Sequence, residues 1–394
     1  MKNRLLGSCL ALALATIACQ DQPTETTQPP AGTGAEPSFR STLSAPFGLK
    51  KGRGKLPPSV RVSDQHVGGG FRRAINPDDY VCPASTPVID FYIDEVTEVI
   101  VREPSIFNLL YNVVWADVIP TYEAVFLLTD ATPQEFGYNG EYTNVMERTH
   151  RDAKRFWDIR SDDIQLVAMK GSMLLDTERV AETYQLPFVP PFFGLSEADA
   201  SFVASLIRDA LLQSVTLDGG DHPLFSFNAF AFSTDDGSYP DKIVMGDGIL
   251  AGYAAVGFGD VAPQAIYAHE FAHHIQFENG YFEDPVPGAT TEAELTRYTE
   301  LMADAYSAYY LTHKRGAAMN RKRVEQFLQV FFQIGDCAFD NPGHHGTPNQ
   351  RMAAARFGFE LAAQAQKQGH ILTSERVHQL FVAAYPGLVA PDAT

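Results

Sequence analysis

The sequence predicts a mainly helical α+β protein with a small β-sheet, behind a targeting segment and a linker. Three observations predict it. Helical periodicity with readable caps dominates after residue 260. Alternating and Gly-punctuated apolar runs cluster between 214 and 258. The first 75 residues carry no core-forming pattern.

The chain has 394 residues, a formal charge of −18 and 45% hydrophobic residues. That apolar share supports a sizeable core. The acidity argues against nucleic-acid partners and against electrostatic docking on anionic lipid, because both need a basic face.

Residues 1–18 read as a signal peptide. Lys2 and Arg4 supply the charged start, and Leu5 to Ala18 is an apolar run too short to span a bilayer. Ala18-Cys19 resembles a bacterial lipobox, in which Cys19 is lipidated and becomes the new N-terminus; Thr16 departs from the Leu usual at its position. The alternative is ordinary secretion with cleavage near Ala15 or Ala18. Residues 19–75 read as a disordered lipid-anchor tether and linker. Pro, Thr, Gln and Gly dominate 20–38, and such a segment buries too little to offset its ordering entropy. Arg40, Lys50, Lys51, Arg53, Lys55, Arg61, Arg72 and Arg73 follow, opposed only by Asp64. They form either a contact for anionic lipid or polysaccharide or simply a solvated linker. Cys82 and Cys337 remain in the exported chain as an even pair. They are a candidate disulfide, with two unrelated buried thiols as the alternative.

Residues 76–394 read as one folded region. Expected helices cover Glu141–Ile159, Leu175–Tyr184 and the run after the Ser196-to-Asp199 capping box. Expected strands cover Ile164–Met169, the alternating run Phe225–Phe232, Lys242–Met245 and Ile249–Val256. Ala262–Asn279 reads as a helix with Pro263 in its first turn and Gly280 just past its end. A capping box at Thr291 and Glu294 opens a helix to Leu311. Arg321–Ile334, Pro348–Gln368 and Ser374–Tyr385 read as three more.

The informative string is His269-Glu270-Phe271-Ala272-His273. Helix positions four apart share a face, so two imidazoles can meet one ion with Glu270 beside it as general base. Ile266, Phe271 and Ile275 mark a packed helix, where two His and a Glu are costly without partners. Catalytic zinc takes three protein ligands and keeps one position open. The next helix carries Glu300 and Asp304, again four apart. Glu300 can complete a His, His, Glu set, and Asp304 can accept the ring N–H of a ligand His. The alternatives are two surface His on a charged helix and a solvated acidic stripe.

HEFAHHIQFENG followed by ELMADAYSAYY resembles the gluzincin clan of zinc metallopeptidases, and most of all the bacterial neutral zinc metallopeptidase family. His345-Gly346-Thr347-Pro348-Asn349-Gln350-Arg351 is similar to that family's HG-S/T-x-x-QR segment. The likeness covers 261–358 and leaves 76–260 unplaced. It implies a zincin-like domain with Zn2+ held by His269, His273 and Glu300. It further implies Glu270 as the base and Asp304 behind the ligands. His345 contacts the site, stabilises the oxyanion or serves the loop. Tyr298 and Tyr306 are other possible oxyanion donors, and His274 is expected to pack or hydrogen-bond elsewhere. The implied function is peptide-bond hydrolysis on an exported protein of the bacterial cell envelope, acting on a peptide or protein substrate. It would bind no nucleic acid and touch the membrane only through the lipid anchor. The competing reading is a silent surface lipoprotein serving as a binding or assembly module.

Overall fold

In the computed structural model the described residues are 60–62, 85–283, 286, 291–333, 335 and 345–391. The signal peptide, Cys19, Cys82 and Cys337 lie outside them, as does most of the expected linker. Within that linker, however, Val60–Val62 forms a strand, β1.

Along the chain come helices α1 (Pro87–Arg102), α2 (Ile119–Phe126) and α3 (Thr143–Phe156), then strand β2 (Gln165–Met169). Next are α4 (Thr177–Gln185), α5 (Glu197–Gln213), β3 (Ala229–Thr234) and β4 (Lys242–Gly246). The remainder is helical: α6 (Asp247–Ala255), α7 (Ala262–Asn279), α8 (Glu292–Thr312), α9 (Arg321–Gln333), α10 (Pro348–Gln368) and α11 (Ser374–Leu388). The mainly helical α+β class holds.

By packing, the chain divides into two compact units. One contains Glu95–Leu127 and Lys170–Ser226. The other contains Leu128–Met169, the chain from Phe227 onward and the described residues up to Asp94. In the first, α2, α4 and α5 pack together, and buried Glu123 is ion-paired with Arg179.

The second unit holds the sheet, in the order β1-β3-β4-β2. β1 and β4 run antiparallel to β3, while β2 runs parallel to β4 with Gln165 opposite Lys242 and Met169 opposite Gly246. β2, β3 and β4 are buried along almost their whole length, which explains their continuous apolar runs. α7 packs on β3 and β4 and lies beside α3 and α8.

Two strand expectations are corrected. Ile249–Val256 is not a strand; it belongs to helix α6, in which Ile249, Leu250, Gly252 and Tyr253 are all buried. The exposed positions of this run are Ala254 and Ala255, so no polar residue marks its solvent side and the helical period is hidden. Phe225 lies in a single helical turn, Pro223–Ser226, and the strand starts only at Ala229. Pro223 fixes the φ that a first helical turn uses.

Caps decide where the last helices begin. Ser196 accepts a hydrogen bond from the Asp199 N–H at the start of α5. Thr291 and Glu294 close a reciprocal capping box on α8. Thr347 and Gln350 do the same on α10, with Pro348 in the first turn. Gly280 ends α7 in the left-handed region, at φ 72°. α8 and α10 touch closely: a Cβ added at Gly358 would lie 2.0 Å from the Ala305 carbonyl oxygen.

Candidate metal centre

α7 is buried around nearly its whole circumference from Ala262 to Gln276. An apolar helix in that setting needs nothing more, but this one carries His269, Glu270, His273 and His274 into the core. Such groups must find partners there. α8, packed alongside, supplies them.

One ligand atom from each of His269, His273 and Glu300 lies within 4.8 Å of the other two. The two Nε2 atoms are 3.1 Å apart. Glu300 Oε2 is 3.3 Å from His269 Nε2, and Oε1 is 3.3 Å from His273 Nε2. All three residues are buried, Glu300 to 1% exposure. Glu270 is buried beside His269. The helical spacing thus brings together the three residues expected as ligands.

The outer ring nitrogens are also held. His269 Nδ1 is 2.9 Å from Asp304 Oδ1, and His273 Nδ1 is 2.8 Å from Gln276 Oε1. Gln276 in turn donates through Nε2 to the Thr299 carbonyl at 2.7 Å. Both rings therefore turn Nε2 toward Glu300, the orientation that metal-binding imidazoles use.

Behind Asp304 stands Arg351, from the first turns of α10. Its Nε donates to Asp304 Oδ2 at 2.9 Å and its Nη2 to Oδ1 at 2.7 Å, a two-pronged pair. Nη1 is 3.4 Å from Glu300 Oε2. Arg351 is 1% exposed, and its neighbouring carboxylates outweigh burial to raise its pKa. The HG-to-QR segment is thereby explained. Thr347 and Gln350 cap α10, and Arg351 enters the site from the turn they fix.

Electrostatics agree with the geometry. Burial would raise the Glu300 pKa, but the neighbouring imidazoles of His273, His345 and His269 hold it well below the usual range. Burial would lower His269, but Asp304 and Glu300 raise it to about 9. The cluster fits a cation on two counts. Glu300 Oε1 is buried without a hydrogen-bond partner. Two imidazoles and a carboxylate converge on one point, a donor set that metal sites use.

The remaining expectations sort as follows. His345 is half-buried and acts on Glu300 through its charge. His274 points elsewhere: its Nε2 is 2.9 Å from the Lys242 carbonyl and its Nδ1 3.3 Å from Asp241. Tyr306 donates to the Ser374 carbonyl, and the Tyr298 hydroxyl lies 3.4 Å from His378 Nε2, so both turn toward α11 rather than the centre. Sequence reasoning gave Gln276 and Arg351 no role. Gln276 was findable, because it lies one turn beyond His273 on the same face. Arg351 stood in the QR segment that carries the resemblance, but no helical spacing ties it to Asp304.

Comparison with family models, with curated proteins and with solved structures finds no match to this chain. No helix among the described residues is long and apolar enough to cross a membrane.

Proposed function

We propose that this chain is a zinc metallopeptidase that hydrolyses peptide bonds. The observation that carries the reading is the buried His269, His273 and Glu300 triangle, with Asp304 fixing the outer nitrogen of His269. His269 Nε2, His273 Nε2 and the Glu300 carboxylate would hold the ion. Zinc, when bound, supplies Lewis acidity to the scissile carbonyl and to water.

The chain's own groups do the rest. Glu270 accepts the proton of the attacking water and delivers it to the leaving nitrogen. Asp304, clamped by Arg351, keeps the His269 proton on Nδ1 and leaves Nε2 as the donor atom. Gln276 fixes His273 in the same way. His345 is the candidate second donor to the developing oxyanion, because its charge already acts on Glu300. Phe331 and Phe282 set aromatic rings 6.2 Å from His269 and His273 and restrict water around them. Export and a lipid anchor on Cys19 belong to the same reading, on the strength of residues 1–19.

The test is Glu270→Gln, assayed for metal content and for cleavage of a peptide library. The variant is expected to keep one zinc per chain and to lose at least about 100-fold in turnover. Parent-level cleavage by the variant, or a parent protein that binds no zinc, refutes the reading.

A further inference from the structure

We infer that Arg297 anchors a carboxylate of the bound peptide, next to the candidate metal centre. The inference rests on the peptidase reading for the class of ligand and on independent geometry for the site.

Arg297 lies on α8, one turn before Glu300. It is only 4% exposed, yet its Nε and Nη1 are buried with no hydrogen-bond partner. Arg351, equally buried on the neighbouring helix, is paired with two carboxylates. A second donor stands close by. Gln350 is 2% exposed; its Oε1 accepts the Thr347 N–H, and its Nε2 has no acceptor. Gly346 joins the two. A Cβ built on it would lie 3.4 Å from Arg297 Cγ, 3.2 Å from Leu301 Cδ2 and 3.6 Å from Gln350 Oε1. Gly346 therefore sits against the turn of α8 that carries Glu300, with Arg297 and Gln350 on either side.

Among the described residues, these buried donors have no acceptor. A free guanidinium N–H of Arg297 and the free amide N–H of Gln350 suit a carboxylate, whose two oxygens can each accept one of them. Leaving such a cation unpaired in the interior destabilises the ligand-free fold. Residues that weaken the fold in this manner concentrate where function requires them. The carboxylate is either the peptide's C-terminus or an Asp or Glu side chain.

The experiment uses the full chain, zinc-loaded and carrying Glu270→Gln so that bound peptide stays intact. Three probes are titrated: an acetylated tetrapeptide with a free C-terminus, its C-terminal amide, and the amide with one residue replaced by Glu. Each is measured with Arg297 present, with Arg297→Met and with Arg297→Lys. An acid-bearing probe is expected to bind about tenfold or more tighter than the neutral amide when Arg297 is present. That ratio falls to about one in Arg297→Met and is partly restored in Arg297→Lys. Which acid gains the advantage identifies the source of the carboxylate. Without peptide, Arg297→Met is expected to raise Tm, whereas an arginine with a purely structural role would lower it. Equal binding of all three probes, a ratio that survives Arg297→Met, or a lower Tm for that variant overturns the inference. Acid-selective binding by a protein whose Glu270 form cleaves nothing would instead sink the peptidase reading and leave the anchor standing.

Discussion

Replacing Gly358 by alanine probes how closely the helices behind the metal centre are packed. The added Cβ would stand 2.0 Å from the Ala305 carbonyl oxygen and 2.9 Å from its carbon. Both atoms are backbone, so no side chain can swing aside, and α8 and α10 must part by about 1 Å to restore ordinary contact. Overpacking of this kind costs about 1–3 kcal/mol. Alanine's better helix propensity offsets about 1 kcal/mol of that. The backbone contact puts the cost at the upper end, for a net loss of about 2 kcal/mol. In a unit of this size, that lowers Tm by roughly 4–8 °C. A second effect follows, because Arg351 lies two turns before Gly358 on α10 and moves with it. A displacement of about 1 Å at its carboxylate clamp is enough to reduce turnover by about 10–100-fold. The assay is thermal unfolding together with peptide cleavage at saturating zinc. The control is Gly387→Ala in α11, where nothing lies within 4 Å of the added Cβ. A Gly358→Ala protein that unfolds within 1 °C of its parent and retains parental cleavage would refute the argument.

Stability should also fall in mild acid. Burial lowers the pKa of His222 to about 4, partly opposed by Glu98, while an unfolded His titrates near 6.5. The stabilisation is full above pH ~6.5 and is lost as pH falls toward 4, by up to about 3 kcal/mol. Urea unfolding at pH 7, 5.5 and 4.5 should show a shallower decline in His222→Asn, and identical slopes would count against the assignment. His274→Ala should cost about 2–4 kcal/mol, since it empties a fully buried site between Asp241 and the Lys242 carbonyl. Its zinc content should match the parent, and loss of the metal in a folded variant would show that His274 supports the centre after all.

Local signals were legible and distant pairings were not. α7 and α8 could be read because their caps and their four-residue spacings are short-range, so the His269, His273 and Glu300 set was in view from the residues alone. α6 was misread because its exposed positions, Ala254 and Ala255, are themselves apolar and hide the period. The parallel pairing of β2 with β4 depends on a crossover through the other unit, which no residue in either strand encodes. Arg351 escaped for the same reason: 47 residues separate it from Asp304, and only the packing of α10 on α8 brings them together.

The two-unit division has a consequence for synthesis. Val62 pairs with Phe232, and the Thr86 hydroxyl meets the Gln333 carbonyl across 247 residues. The unit with the candidate metal centre therefore opens and closes the described chain, with the other unit's segments between its parts in sequence. Bringing such remote segments together costs loop-closure entropy before any contact repays it, which makes folding slow. A nascent chain halted before Pro348 would hold every proposed zinc ligand and still lack the guanidinium that clamps Asp304. The candidate centre is thus finished only once α10 has been made, and a chain cut short before it leaves two buried acids without their counter-charge.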